Sequence, residues 1–198
     1  LSTVGDSAVG AVGTANTYIG IFIIMFHVVS SGMIAVMTQY IGAKRIGVAY
    51  QARQLGAVFN AVIGVALSVF LYVFSENILE IVGVAPLLME YAKTYLKIVG
   101  GACFLNALIP IFSSYLRAFG HTRQPLAATV AANILNLCLN AVFLFVFRFG
   151  VAGVAAATVI SRVVNLVLVM IFSKLLVKAN EDSKKKKNKE VFAQIIKV

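Results

Sequence analysis

Five long apolar segments, separated by short polar stretches, dominate the pattern of this sequence. Their approximate bounds are 14–41, 55–74, 86–116, 125–147 and 151–176. A helix that crosses a bilayer needs about 20 mostly apolar residues, whereas the strands of a membrane barrel have about 10 residues and alternate apolar with polar positions. Each segment is long enough to span as a helix and lacks the alternation of a strand. The pattern therefore predicts an all-α protein, a polytopic membrane helical bundle.

Prolines predict where two of these helices begin and where one of them bends. Pro86 and Pro125 fall in the first turns of their segments, where a missing backbone N–H costs nothing. Pro110 falls inside the third segment, where it removes a hydrogen bond of the helix. We therefore expect a kink at Pro110.

Composition indicates that lipid is the solvent of this chain. Hydrophobic residues make up 61% of the sequence and charged residues 12%, whereas a soluble domain is about half apolar and a quarter charged. The net charge of +10 lies mostly in short stretches between or after the apolar segments, not along one face. This distribution argues against nucleic acid as a partner and favours the lipid bilayer.

The charges of the polar stretches predict the topology. Three basic stretches, 42–54, 117–124 and 174–189, alternate with two stretches, 75–85 and 148–150, that hold fewer Lys and Arg residues. Cytoplasmic loops are enriched in Lys and Arg, so the first three are predicted to be cytoplasmic in a multi-pass protein of the cell (plasma or inner) membrane. The basic residues assigned to the first loop are Lys44, Arg45 and Arg53.

A lysine-rich segment, EDSKKKKNK, predicts a boundary near the end of the chain. It suggests a membrane bundle over 1–178, a basic cytoplasmic linker over 179–190 and, over 191–198, the start of the first helix of a second lobe. The chain begins at Leu1, not at Met, and ends at Val198 within a new apolar pattern. We therefore expect it to be a piece of a longer protein.

Three amides on the fourth segment are the first candidates for a functional site. Asn133, Asn136 and Asn140 are spaced three and four residues apart, which places them on one helix face. Amides facing lipid would be very unfavourable, so these three are expected to face protein or water. Two interpretations stay open: hydrogen bonds between helices, or the lining of a polar cavity or cation site.

Polar residues also interrupt the fifth and first segments. Arg162 lies near the middle of the fifth, one turn after Thr158. An arginine at the bilayer centre costs on the order of 2.5–3.5 kcal/mol, so Arg162 is expected to face the bundle interior. There it either holds carbonyls and amides or contacts substrate. His27, midway along the first segment, either relays protons or simply packs and hydrogen-bonds within the bundle.

Acidic residues and catalytic motifs are missing from the interiors of the apolar segments. The seven Asp and Glu residues fall near segment ends or in loops. The sequence also lacks a phosphate-binding glycine motif, paired carboxylates and a cluster of metal ligands. We therefore expect no enzyme, no metal site and no cofactor; any transport would be driven by an ion gradient or by a partner chain.

Five stretches of the chain carry a family resemblance. They are GDSAVGAVGTAN (5–16), QYIGAKR (39–45), LRAFGHTRQP (116–125), ANILNLCLN (132–140) and GVAGVAAATVISR (150–162). In this order they resemble the multidrug and toxic compound extrusion (MATE) family over nearly the whole chain. The resemblance implies an N-terminal lobe, with about helices two to six of twelve plus the start of helix seven.

The resemblance also implies a function. MATE proteins are twelve-helix exporters whose two lobes rock about a central cavity and exchange Na⁺ or H⁺ for amphipathic, often cationic, drugs and toxic compounds. The partners implied are small amphipathic molecules, the bilayer and the C-terminal lobe of the same protein. Two alternatives remain: a lipid-linked oligosaccharide or polysaccharide flippase of the same superfamily, and a scaffold or receptor domain that transports nothing.

In one branch of the family, a cation site uses an Asp on the first helix, an Asn and an Asp on the fifth, and a Thr on the sixth. Asn136 matches the Asn and Thr158 matches the Thr. Asn140 stands where that branch has the Asp, which removes a charge. The resemblance therefore puts a carboxylate cation site in this lobe in doubt.

Overall fold

Helices account for all the regular structure that the computed structural model describes, which covers the backbone of residues 2–81 and 83–195 and the side chains of residues 10, 12–81 and 83–180. Two of the helical segments, Leu96–Gly100 and Val142–Val146, are π-helical. The predicted all-α class is confirmed. The α-helices of the described residues are α1 (Ser2–Gly42), α2 (Ile46–Val73), α3 (Ser75–Ile81), α4 (Pro86–Tyr95), α5 (Cys103–Ala118), α6 (Arg123–Ala141) and α7 (Gly150–Ile195).

The number of membrane-spanning helices agrees with the five predicted from the sequence. Four continuous helical stretches of the described chain are long and apolar enough to cross a bilayer: Val12–Gly42, Ile46–Val73, Arg123–Val146 and Gly150–Asn180. The fifth span is a bent pair, Pro86–Gly100 followed by Cys103–Ala118. Counting this pair as one span gives five.

The third predicted span bends at a different place from the one expected. Helix α5 continues through Pro110, and the bend of 42° lies between Gly100 and Cys103. The π-helical segment Leu96–Gly100 leads into this bend, and the N–H of Ala102 then bonds back only three residues, to Val99. Such a change in the hydrogen-bond ladder is a common cause of sharp bends in helices.

Helix α2 begins at Ile46, so the first predicted loop is much shorter than residues 42–54. The assignment of Arg53 to that loop is wrong, because Arg53 lies inside α2 and is 6% exposed. The first turns of α2 are amphipathic and hold Gln51 and Arg53 beside the fully buried Ala49. A count of consecutive apolar residues therefore misses them.

The C-terminal part of α7 differs in form from the predicted linker. The helix runs without a break from Gly150 to Ile195, through the residues 179–190. Lysine and glutamate are good helix formers, so a run of charge need not interrupt a helix. The division into bundle, linker and second lobe stays a prediction, and its last residues, 196–198, lie outside the described part.

Close helix contacts hold the bundle together. An added Cβ at Gly64 of α2 would lie 2.7 Å from the Cβ of Ala107 and 2.9 Å from the Cα of Phe104, so α2 and α5 approach closely there. The side-chain amide of Asn60 donates to the Ala107 carbonyl at 2.9 Å, one turn away on α2. Small residues and amide hydrogen bonds are what helices in lipid use to associate.

Two apolar clusters mark the ends of the bundle. At one end, Met37 of α1, Ala49 of α2 and Tyr115 of α5 are buried together, against Leu176 of α7. At the other end, a cluster with Tyr95 at its centre joins α1, α2, α4 and α7. The ends of α1 and α5 therefore lie on one side, as the alternating topology requires. That this side is cytoplasmic stays a prediction from the loop charges.

Candidate functional site

Helix α6 separates an apolar face from a polar one. Leu126, Val130, Ile134 and Leu137 are exposed and recur at helical spacing, as expected of a surface that meets lipid. Asn136 and Asn140 are half-buried on the flank of this apolar face, and Asn133 is exposed beside it. Polar side chains of this flank line a cavity between α6 and α7.

A cavity of about 300 Å³ lies between α6 and α7. Its volume is at the lower end of the range usual for small-molecule sites. Four of the six predicted site residues line it: Asn133, Asn136, Thr158 and Arg162.

A second cavity, of about 370 Å³, lies among α1, α5, α6 and α7. It shares Thr129, Arg162 and Asn165 with the first, so the two adjoin and Arg162 lies where they meet. His27, a fifth predicted site residue, is exposed on α1 and lines this larger cavity. The further polar residues of its lining are Ser30, Ser31, Asn106, Ser113, Ser114 and Arg117.

Arg162 connects α7 to α5. Its Nη1 donates to Oδ1 of Asn106 at 2.7 Å, and its side chain is otherwise exposed to the cavities. Arg117 also lines the larger cavity, whereas neither lining contains Asp or Glu among the described residues. The ion pair found among the described side chains joins Lys93 to Glu76, outside both cavities. The described walls are therefore positively charged.

The sixth predicted residue, Asn140, lies beside the smaller cavity without lining it. Its Nδ2 donates to Oδ1 of Asn136 at 3.1 Å, and its own Oδ1 is buried without a hydrogen-bond partner. Thr158 donates its hydroxyl to the Val154 carbonyl of its own helix at 2.9 Å. The structure thus brings Asn136, Asn140 and Thr158 to one region, where they offer neutral oxygen atoms and no carboxylate.

Comparison with known proteins shows which family has this sequence and architecture. The MatE family pattern matches residues 1–142. The chain belongs to the MATE family. It is 34% identical over 175 residues to the uncharacterized transporter YisQ of Bacillus subtilis (strain 168), a match that covers 86% of this chain and 38% of YisQ. It is 25% identical over 182 residues to the probable multidrug resistance protein YoeA of the same organism, covering 85% and 39%.

A solved MATE structure has the same fold. The inward-facing conformation of a multidrug resistance MATE family transporter superposes with a TM-score of 0.76 at 22% identity, over 84% of this chain and 37% of that one. The chain thus spans less than two fifths of the length of these MATE relatives, which agrees with the predicted N-terminal lobe fragment. YisQ and the solved structure are named as transporters, as expected of relatives of a membrane transporter that is not an enzyme, and the flippase alternative is not favoured.

The polar face of α5 is the part of this MATE cavity that sequence reasoning missed. Asn106, Ser113 and Ser114 line the cavity with Pro110 between them. Their spacing of seven and eight residues places them on one helix face, which a search for polar residues at helical intervals would have found. For this segment, only the proline was considered in the sequence analysis. Asn165, seven residues after Thr158, lines both cavities and was not among the predicted site residues.

Arg53 is a second interior arginine of this MATE lobe, and it lines neither cavity. Its guanidinium carbon lies 4.5 Å from the ring centre of Tyr50, 4.7 Å from that of Tyr115 and 5.6 Å from that of Phe112. Its Nη1 donates to the hydroxyl of Ser173 on α7. Arginine stacks well on aromatic faces, so these rings replace an acidic partner. Arg53 therefore ties α2, α5 and α7 together.

Proposed function

We propose that the full-length protein exports amphipathic compounds across the cell membrane in exchange for Na⁺ or H⁺, and that this lobe forms one wall of the transport cavity. The family is one of transporters, and YoeA is named a probable multidrug resistance protein. The proposed mechanism is alternating access, in which two lobes move about a cavity that lies between them.

The observation that carries this proposal is the mixed lining of the larger cavity. Ile23, Ile34 and Ile109 provide apolar surface beside the serine and asparagine groups of α1 and α5. A cavity with apolar walls and a few polar groups suits a molecule that has both kinds of surface.

The second part of the proposal concerns the coupling ion. Intramembrane acidic groups usually carry ion coupling, and the described cavity walls hold none. Asn136, Asn140 and Thr158 are the candidate cation ligands of this lobe, with His27 as a candidate proton carrier. We propose that they assist a coupling carboxylate located elsewhere in the full-length protein.

The test is dye export by the full-length protein in cells that lack their own pumps. Accumulation of ethidium, a cation, and of carboxyfluorescein, an anion, is followed with and without collapse of the Na⁺ and H⁺ gradients. We expect the cells to exclude at least one of the two dyes. We also expect this exclusion to be lost when one of the two gradients is collapsed, which identifies the coupling ion. Equal accumulation of both dyes in cells with and without well-expressed protein would contradict export.

A further inference from the structure

The described walls of the two adjoining cavities carry positive charge without a compensating acid. Arg162 lies where the cavities meet, and Arg117 lines the larger one. We infer that the group of side chains around Arg162 binds an oxyanion, a carboxylate or phosphate carried by the transported compound. This inference rests on the proposed function, because it names the substrate class of that same cavity.

The charge of the walls is the first step of the argument. Neither lining holds Asp or Glu among the described residues, and the Lys93–Glu76 ion pair lies outside both cavities. A charge in a partly desolvated cavity interacts far more strongly than one in bulk water. The described walls near Arg162 and Arg117 therefore favour an anionic group.

The hydrogen-bond geometry of Arg162 is the second step. A guanidinium carries five N–H donors in a planar fork that matches carboxylate and phosphate. Here the observed hydrogen bond goes from Nη1 to Oδ1 of Asn106, which fixes the orientation of the fork. The hydroxyl groups of Ser113 and Ser114 line the same cavity and supply further donors, whereas the Thr129 hydroxyl donates to the Pro125 carbonyl at 2.9 Å.

The exposure of Arg162 is the third step. Arg53, an arginine with a structural role in this bundle, lies beneath aromatic rings and is only 6% exposed. Arg162 instead keeps an exposed side chain that opens into two cavities. An interior arginine in a membrane bundle is a marker of a substrate or ion pathway. Its position therefore points to a ligand.

The test compares two dyes that share a xanthene ring system and differ in charge, carboxyfluorescein (anion) and rhodamine 6G (cation). Gradient-driven export of each is measured for the full-length protein and its Arg162→Gln and Arg162→Lys variants. We expect Arg162→Gln to lower carboxyfluorescein export about tenfold or more, as loss of a charge-assisted hydrogen bond predicts. Arg162→Lys should lower export less, because it keeps the charge but loses the planar fork. Arg123→Gln, an exposed arginine at the start of α6 that lines neither cavity, is the matched control.

Other outcomes separate this inference from the proposed function. Export of rhodamine 6G but not of carboxyfluorescein, unchanged in Arg162→Gln, would uphold the exporter and overturn the oxyanion site. If neither dye is exported, the proposed function fails and binding decides the inference. Fluorescence polarization with purified full-length protein then measures carboxyfluorescein affinity, which Arg162→Gln should weaken about tenfold; an unchanged affinity overturns the site.

A separate arm identifies the source of the oxyanion. Proteoliposomes with fluorescently labelled phosphatidylglycerol report movement of a lipid phosphate between leaflets. Lipid movement that depends on Arg162, without carboxyfluorescein export, would support the same site with lipid as the source. Export of carboxyfluorescein without lipid movement would support a soluble anion. Failure of Arg162→Gln to alter either process would overturn the inference.

Discussion

Arg53 and Arg162 are both interior arginines of one helical bundle, and neither is paired with an acid among the described side chains. Arg53 is enclosed by three aromatic rings and bonded to Ser173. Arg162 is held at one atom by Asn106 and opens into the two cavities. Rings surround the first guanidinium, whose Nε is buried without a hydrogen-bond partner, whereas the second has N–H donors that open into the cavities.

The surroundings of an arginine inside a membrane bundle, and not the residue type, therefore determine its role. An arginine beneath Tyr50 and Tyr115 stabilises the packing of three helices through cation–π contacts and its long apolar stem. An arginine at a wet cavity provides charge for a ligand. Substitutions at the two positions should therefore have different consequences, one for folding and one for transport.

The largest expected effect is that of Arg53→Ala on stability. This change removes the cation–π contacts and leaves a hole among α2, α5 and α7, so the free energy of unfolding should fall by about 2 kcal/mol or more. Thermal unfolding of the full-length protein in detergent measures it. Arg162→Ala is the matched control and should lower the melting temperature far less, because its side chain is exposed. Equal losses for the two variants would remove the distinction between them.

Asn106→Asp should have the next largest effect, and on transport. It would place a carboxylate at the atom that now lies 2.7 Å from the Arg162 guanidinium, which cancels the charge of the cavity at that point. Carboxyfluorescein export should fall about tenfold while the folded yield stays near that of the unmodified protein. Asn106→Ser, which adds no charge, is the control. Export that is lowered equally by both changes would speak against an electrostatic role.

The smallest expected effect is that of the surface ion pair between Glu76 and Lys93. The Lys93 ammonium holds the pKa of the Glu76 carboxyl below its ordinary value. A lowered folded-state pKa means that any stabilisation is present above the ordinary pKa and is lost as the pH falls through the lowered one. Exposed ion pairs contribute little, so Glu76→Gln should change the melting temperature at neutral pH only slightly. A melting-temperature shift as large as that of Arg53→Ala would show that this surface ion pair stabilises the protein as much as the interior cation–π contacts do.

The sequence could predict those features that depend on local patterns. Five apolar segments became five spans, and Asn133 and Asn136, expected to face protein or water, line the smaller cavity. The role of Arg53 was missed because its rings come from α5 as well as α2, a contact that exists only after folding. The bend between Gly100 and Cys103 was missed because a proline is a strong sequence signal for a kink, whereas a π-helical segment has no comparable signal. Asn106 became significant only when the fold brought Arg162 of α7 against it.

Charge reversal at Arg162 tests the central claim most directly. The Arg162→Glu variant of the full-length protein is assayed for gradient-driven export of carboxyfluorescein and rhodamine 6G beside the unmodified protein. The account predicts that export of the anion is lost and that export of the cation rises, so that the preference between the two dyes reverses. An unchanged preference, in a variant that folds and reaches the membrane normally, would contradict a ligand-binding role for Arg162.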